Sequence, residues 1–385
     1  MNVHIGIIDQ DPVRLITPLF DSRSQCDHMI FIGDEHNYDM YQRIDSILQS
    51  KNITTEFFSV PEEINIPKSR QAITELAQRL KNENANVKLN ASCGLRHRLL
   101  TVYEVIRSYQ WPIFVVEPKS DRLCWLYPEG MDERQVQDHL RIGDYLTIFG
   151  ARCEFPTHQV PEHLNETLHE LGTRWASHAL ELGPGLATLN YLATTCRKEQ
   201  KLDVALTEKQ QGYKELDMLI SDLVETKLAT YQDGILTFYN EDARRFSNGE
   251  WLENLVHTTV RQIQDELPTI QDHSLNVQVY RDIGEREVRN ELDVAAVVNN
   301  KLHIIECKTK GMRDDGDDTL YKLESLRDLL GGLQARAMLV SFRPMRYNDI
   351  SRAKDLGLAL IGPDELKDLK NHLTQWLKEA GGFSR

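Results

Sequence analysis

Glu291-Leu292-Asp293-Val294-Ala295-Ala296-Val297-Val298, then Asn299-Asn300, then Lys301-Leu302-His303-Ile304-Ile305-Glu306-Cys307-Lys308: the reading of this chain turns on this stretch. Two apolar runs joined by Asn-Asn describe a β-hairpin with a two-residue turn, because Asn tolerates positive φ. Such a turn pairs Val298 with Lys301, and counting outward sets Asp293 opposite Glu306. Side chains alternate along a strand, so Glu306 and Lys308 leave one face and Cys307 the other. Two carboxylates and an ammonium then converge on one patch. Like charges directly opposite one another destabilise a sheet. A divalent cation between them removes that cost, and Asp and Glu oxygens suit Mg²⁺ or Mn²⁺. Without a cation, the same residues make an ordinary amphipathic hairpin with an exposed salt bridge.

Working outward, Asn248-Gly249-Glu250-Trp251-Leu252-Glu253-Asn254-Leu255-Val256 opens an amphipathic helix with Trp251, Leu255 and Val256 inward. Glu250 and Glu253 sit on it as further carboxylates, against a plain reading as helix-surface charge. After the hairpin come a helical run from Thr319 to Leu330, strands at Ala337–Ser341 and Leu358–Pro363, and a terminal helix from Glu365 to Glu379. The acidic run Asp314-Asp315-Gly316-Asp317-Asp318 lacks EF-hand spacing and reads as a loop at the entrance of the patch. Arg281, Arg286, Arg289, Lys301, Lys308, Lys310 and Arg313 cluster around the carboxylates, interleaved with acids.

An Asp followed thirteen residues later by Glu-x-Lys on a hairpin resembles the PD-(D/E)XK nuclease superfamily. The resemblance implies that Asp293 and Glu306 hold the metal with the Cys307 backbone carbonyl, and that Lys308 stabilises developing negative charge. Nucleases of the superfamily often add a helical Glu, and Glu253 is the candidate here.

At 385 residues the chain is expected to hold two or three domains. We divide it into 1–155, 156–246 and 247–385. The six cysteines are scattered without a C-x-x-C pair, as expected of reduced thiols in a cytoplasmic protein and not of a zinc or disulfide framework. No apolar stretch is long enough to span a membrane. A net charge of −14 argues against duplex binding over the whole surface, though not against a local channel.

The first segment alternates strand-like runs (Val3–Ile8, His28–Ile32, Thr54–Val60, Asn86–Asn90, Trp111–Glu117) with helical ones. Repeated β-α with short connections predicts a parallel, doubly wound α/β sheet, whose ligands bind beyond the strand C-terminal ends. Those ends carry Asp9-Gln10-Asp11-Pro12, Gly33-Asp34 and Asn90-Ala91-Ser92-Cys93-Gly94-Leu95-Arg96. None is G-x-G-x-x-G, which disfavours a dinucleotide dehydrogenase. The last leads from strand to helix, where small residues and helical N–H groups can meet a phosphate.

The Asp-x-Asp-Pro-Val loop and the Asn90–Arg96 loop together look like a CARF (CRISPR-associated Rossmann fold) domain. Asn90 and Gly94 match that family's Asn-x-Thr-Gly-Gly-Thr-Lys, whereas Ser92, Cys93 and Leu95 depart from it. On this resemblance Gln10, Asp11, Pro12, Gly33, Asn90, Ser92, Cys93, Gly94 and Arg96 surround the ligand.

The middle segment reads as helices over Gly185–Cys196, Thr207–Leu219 and Leu219–Leu228. A hairpin with an Asp233-Gly234 turn follows, and Gly183-Pro184-Gly185 reads as a hinge or turn. This looks like a winged helix. Its helices carry Glu208, Glu215, Asp217 and Glu225, so a linker or dimerisation role is preferred to DNA binding.

The whole chain resembles the CARF–nuclease ancillary effectors of type III CRISPR immunity. That family implies a homodimer with one symmetric pocket for a cyclic oligoadenylate, commonly cyclic tetra-adenylate. It further implies Mn²⁺- or Mg²⁺-dependent cleavage of single-stranded RNA, DNA or both. Two alternatives stay open: a ligand-responsive nucleic-acid-binding regulator with an inactive nuclease domain, and a constitutive repair or restriction-type nuclease.

Overall fold

The computed structural model describes residues 1–137, 140–155, 162–310 and 316–379, with backbone alone at 162–165 and 316–317. Pro156, Arg313, Asp314 and Asp315 lie outside the described residues. Gly316 onward, the second half of the acidic run, begins a helix.

The N-terminal segment runs β1 (Asn2–Ile7), α1 (Val13–Phe20), β2 (His28–Gly33), α2 (Tyr38–Gln49), β3 (Thr54–Ser59), α3 (Ile66–Asn82), β4 (Asn86–Asn90), α4 (Arg96–Ser108) and β5 (Ile113–Glu117). The five strands are parallel in the order β3-β2-β1-β4-β5. The near-continuous apolar runs of β1, β2 and β5 suit a sheet covered on both faces. Strand order reverses between β1 and β4, and there the three loops singled out above meet. Three further elements, β6 (Arg122–Tyr127), β7 (Arg134–Gln135) and α5 (Ile142–Ile148), were not apparent in the sequence. The two strands extend the edge antiparallel. β8 (Arg152–Glu154) leaves this sheet and pairs with the C-terminal one.

The middle segment comprises α6 (Glu162–Ser177), α7 (Ala179–Glu199), β9 (Asp203–Ala205), α8 (Glu208–Gln211), α9 (Lys214–Glu225), β10 (Ala229–Gln232), β11 (Ile235–Phe238) and α10 (Glu241–Arg245). The strands form a small antiparallel sheet, β10-β11-β9, turned at Asp233 (φ 52°) and Gly234 (φ 75°). Helix, strand, two helices and a hairpin is the winged-helix order. The single helix expected over Thr207–Leu219 is two, broken at Gly212-Tyr213.

Gly183-Pro184-Gly185 is not a hinge but part of α7. A mid-helix proline removes a hydrogen bond and costs about 3 kcal/mol in isolation. Tertiary contacts outweigh that here. Gly183 O accepts from Arg343 Nη1 at 2.6 Å, and a Cβ on Gly185 would lie 2.7 Å from the Glu215 carbonyl carbon. The motif marks the close approach of α7 and α9.

A π-turn over Phe246–Glu250 leads into α11 (Trp251–Glu266). Then come β12 (Ile270–Ile283), β13 (Arg286–Val298), β14 (Lys301–Lys308), α12 (Gly316–Gly331), β15 (Arg336–Ser341), α13 (Tyr347–Asp355), β16 (Ala359–Ile361) and α14 (Leu369–Lys378). The sheet order is β16-β15-β14-β13-β12-β8, antiparallel from β8 to β14 and parallel from β14 to β16.

One face of this sheet (Val294, Ala296, Val298, Ile305) shares a core with α7, α9, α11 and α14. The other face (Ala295, Val297, Leu302, Ile304) shares a core with α1, α2, α5 and α12. Each fully buried Leu, Ile or Val there contributes about 1.5–3 kcal/mol. Helices of the N-terminal segment therefore pack directly beneath the hairpin.

Candidate active site

The hairpin has the anticipated register. Asn299 (φ 48°) and Asn300 (φ 52°) both take positive φ, as a type I′ turn requires. Pairing runs from Val298↔Lys301 to Val294↔Ile305, which leaves Asp293 beside Glu306 on the next rung. The Cys307 N–H donates to Asp293 Oδ2 at 2.7 Å, and Lys308 Nζ lies 2.6 Å from Glu306 Oε1. The Cys307 side chain packs in the hydrophobic core.

β12 adds a feature the sequence did not reveal. Leu275 pairs with Val294 and Val277 with Leu292, so Asn276 stands opposite Asp293, with φ 52°. Leu275 packs in the core on one side of the sheet and Val277 in the core on the other. The strand thus changes face at this left-handed residue, which Asn tolerates better than most. The irregularity falls at the rung of Asp293 and Glu306.

Glu253 reaches the same point from α11. The π-turn before it contains Gly249 at φ 125°, where a Cβ would lie 2.6 Å from Thr309 Oγ1. This close approach seats the start of α11 on the end of β14. Burial raises the Glu253 pKa to about 9, with Asp293 the strongest charged contributor. Burial and then Glu306 raise that of Asp293 to about 7, against the Cys307 N–H and Lys308. Burial disfavours the Lys308 ammonium, but Glu306 outweighs it and the pKa is raised. Glu250, the other helical candidate, is instead bonded by Arg245 Nε at 2.6 Å.

Carboxylate oxygens under mutual repulsion are the donor set a hard divalent cation prefers. Asp293 and Glu306 each commit one oxygen to a protein donor. Among the described residues, no three His, Cys, Asp or Glu side chains close on one point tightly enough to hold an ion as they stand.

A cavity of about 470 Å³ opens beside these residues. Cys307, Lys308, Thr309 and Lys310 of the β14 end line it with Glu250 and Glu253, and Glu241 joins Arg197, Arg244 and Arg245 on the side of the middle segment. Sequence reasoning missed these three arginines. The Arg244-Arg245 pair just before Asn248-Gly249 was the visible signal.

The N-terminal loops converge as expected, but mostly upon themselves. Asn90 Nδ2 donates to Arg14 O at 2.9 Å, and its Oδ1 accepts from both Ser92 N and Oγ. Ser92 Oγ in turn accepts from Val116 N at 2.8 Å, and Cys93 Sγ donates to Asp11 O at 3.2 Å. Gly94 (φ 120°) has no room for a Cβ against Ile7, nor has Gly33 against Ile8. Pro12 is buried. Asp11 is buried and turned inward; a Cβ on Gly332 would lie 3.5 Å from its Cγ. Burial raises the Asp11 pKa, against Arg14 and the N–H groups of Val13 and Leu333. Burial pushes the Cys93 thiol up to about 12. Of the nine residues expected around a ligand, Gln10 and Arg96 are exposed and the other seven are buried or half-buried.

Comparison with known proteins agrees with this architecture. A family model described as the Card1-like endonuclease domain matches residues 240–380. The crystal structure of protein VC1899 from Vibrio cholerae is 72% identical, covers 99% of both chains and superposes with a TM-score of 0.96. Over residues 240–380 the chain belongs to the Card1-like endonuclease domain family, and along its whole length it is a relative of VC1899. Its fold over 98% of its length is that of Can2 from Sulfobacillus thermosulfidooxidans, solved with cyclic tetra-adenylate; Can2 is 21% identical, covered to 99%, with a TM-score of 0.80. A type III CRISPR defence DNA nuclease activated by cyclic oligoadenylate shares the fold at 13% identity and a TM-score of 0.56, over 96% of this chain and 51% of that one. No curated protein matches. Residues 240–380 thus carry a Card1-like endonuclease domain, and the N-terminal segment shares the fold of Can2.

Proposed function

We propose that this protein is a cytoplasmic, metal-dependent nuclease of type III CRISPR defence that cuts single-stranded RNA or DNA when its CARF domain binds a cyclic oligoadenylate. Cyclic tetra-adenylate is the preferred activator. The carrying observation is the rung at Asp293 and Glu306, with Glu253 above it and Lys308 ion-paired beside it.

Asp293, Glu306 and Glu253, with the Cys307 carbonyl, would hold Mn²⁺ or Mg²⁺. Bound there, the ion supplies Lewis-acid polarisation of the attacked phosphate. The rest falls to the chain. The Cys307 N–H fixes the Asp293 carboxylate. Glu306 holds the Lys308 ammonium charged and aimed at the cavity, where it stabilises the negative charge that develops as water attacks phosphorus and the ester oxygen leaves.

A CARF pocket formed by two chains gives a two-fold ligand a two-fold site, so the active species is proposed to be a homodimer. Backbone groups of Gln10–Pro12, Gly33 and Asn90–Gly94 and the side chains of Gln10 and Arg96 would meet the ligand. Two contacts support a route to the nuclease. Asp11 abuts Gly332 at the end of α12, where Tyr145 also donates to Gly331 O at 3.0 Å. Asn300, in the hairpin turn, donates to the buried Asp121 carboxylate of the β5–β6 turn, and Lys301 Nζ to Lys119 O at 3.0 Å. A ligand moves the equilibrium only by its differential affinity for the active arrangement.

The deciding experiment is cleavage of labelled single-stranded RNA and DNA in Mn²⁺, with and without cyclic tetra-adenylate, beside Glu306→Ala. Cleavage that needs the ligand and is lost in Glu306→Ala is expected. Cleavage without ligand leaves the nuclease and removes the sensor. Cleavage that survives Glu306→Ala overturns the site.

A further inference from the structure

The cavity beside Lys308 is built by two separate parts of the chain. Its floor is the end of β14; much of its wall is the middle segment. Asn190, Thr194 and Arg197 recur at helical spacing and form one stripe along α7. Asn190 Nδ2 donates to Thr309 Oγ1 at 3.3 Å, and Thr194 Oγ1 to Asn248 Oδ1 at 2.9 Å. These bonds pin the stripe to the end of β14 and to the π-turn. Arg197, next along, lines the cavity.

The cavity's cations are not equivalent. Arg244 is buried and spends its guanidinium on Glu241 and Ala193 O. Arg245 is tied to Glu250. Arg197 and Lys310 are exposed, and neither forms an ion pair among the described residues. A protein of net charge −14 thus keeps in the cavity that holds Lys308 two cations without an ion-pair partner among the described residues, although the Glu241 carboxylate, paired with Arg244, also feels Arg197.

We propose that Arg197 and Lys310 are positioning residues that grip the phosphodiester backbone of a single strand on either side of the scissile phosphate. The middle segment is then part of the substrate site and not merely a linker. The proposal rests on the nuclease reading of the Asp293–Glu306 rung and names how its substrate is held. Phosphate contacts of this kind set register without reading sequence. A volume of about 470 Å³ falls within the usual small-ligand range of about 300–1,000 Å³; it takes a nucleotide or two of one strand and not the body of a duplex.

The test is binding, read apart from cleavage. Full-length Glu306→Ala protein is titrated with a short fluorescent single strand across a salt series, with and without cyclic tetra-adenylate. Arg197→Ala, Lys310→Ala, their combination and Arg197→Lys are added to that background, with Lys354→Ala on α13 as a remote control. Each lost phosphate contact lowers the slope of log K against log salt by about 0.7 for a single strand. The double variant is expected to lose about 1.4, Arg197→Lys to retain most of its share, and Lys354→Ala to change nothing. An unchanged slope in the double variant, an equal loss in Lys354→Ala, tighter binding of the matching duplex, or no binding at all overturns the proposal. Failure of the two readings is distinguishable. If the parent protein cuts nothing yet the slopes fall as stated, the nuclease reading fails and the strand seat stands. If the parent cuts and the slopes do not move, the seat fails and the nuclease stands.

Discussion

The two ends of this molecule handle buried polar groups in opposite ways. Around the N-terminal loops several groups are answered by one another, Asn90 by Ser92, Cys93 by Asp11 O and Asp34 by Arg98 at 2.6 Å, although Asp11 Oδ2 and Arg98 Nε are buried without a hydrogen-bond partner among the described residues. Around the hairpin they are left in conflict, with Asp293, Glu253 and Glu306 crowding one rung. Satisfied groups build a frame that presents backbone and a few exposed side chains. Conflicted groups store a demand for a cation, and that demand marks the chemistry.

The sharpest way to break the N-terminal half of the comparison is Arg98→Ala. Arg98 and Asp34 are almost wholly buried and tie the end of β2 to the first turn of α4, with Pro61 O as a further acceptor at 3.1 Å. Removing one partner of a buried pair typically costs about 3–5 kcal/mol. Chemical denaturation is expected to show a loss of that size. A loss near zero would mean that the frame is not held by its charges.

Next is Lys308→Ala at the opposite end. Loss of a charged donor to the transition state lowers the rate by about 10²–10³-fold. Single-turnover cleavage by a variant with an unchanged melting temperature measures this, and an unaltered rate would remove Lys308 from the mechanism. The pH dependence sharpens the same point. With folded pKa values raised to about 7 for Asp293 and about 9 for Glu253, the folded protein holds protons that the unfolded chain has released above the ordinary carboxylate range. The contribution of these groups to stability therefore falls as pH rises through that window and levels off above both values. A divalent cation competes with the same protons. Its stabilising effect in thermal melts should grow with pH from about 5 to about 9, and cleavage should rise with it. A cation effect independent of pH would place the ion elsewhere.

A smaller effect is expected where the two halves meet. In Asn300→Ala the hairpin turn loses a positive-φ Asn, and Asp121 loses the donor that opposes its burial. A buried acceptor left unpaired costs about 1–3 kcal/mol. If this contact transmits ligand binding, the variant's response to cyclic tetra-adenylate also weakens while its ligand-free rate holds. An intact response would move the route to Asp11 and Gly332.

These differences explain what could be read in advance. The five parallel strands and the hairpin register followed from local rules: apolar runs, Asn-Asn turn chemistry and strand alternation. Glu253 came from the resemblance to nucleases that add a helical Glu. The positive-φ Asn276, the π-turn at Gly249 and α7's passage through Pro184 depend on contacts between distant segments, and no local pattern announces them. The same holds for Arg197, which sits 111 residues from Lys308 and reaches the site only because Asn190 and Thr194 pin its helix there. For the N-terminal loops, resemblance named residues that the structure brings together. It did not reveal that Asp11 and Cys93 turn inward, because their burial is set by α12 and the β1–α1 loop packing over them.

The smallest effect belongs to Cys307, and it separates backbone from side chain at the catalytic rung. Its N–H holds Asp293 and its carbonyl is a proposed cation ligand, while its thiol lies in the core with a pKa that burial raises far above the ordinary value. A thiol so placed is neither nucleophile nor ligand; it is filler of roughly one methylene's weight. Cys307→Ala should therefore cost about 1 kcal/mol in denaturation and leave cleavage near the parent's rate. Cys307→Pro cannot donate to Asp293 and cannot stay in the ladder, so it should abolish cleavage. If Cys307→Ala were the inactive variant while folded, the thiol itself would have to act in the cavity whose wall Cys307 shares. The alternation that sets Glu306 and Lys308 on the working face would then be wrong.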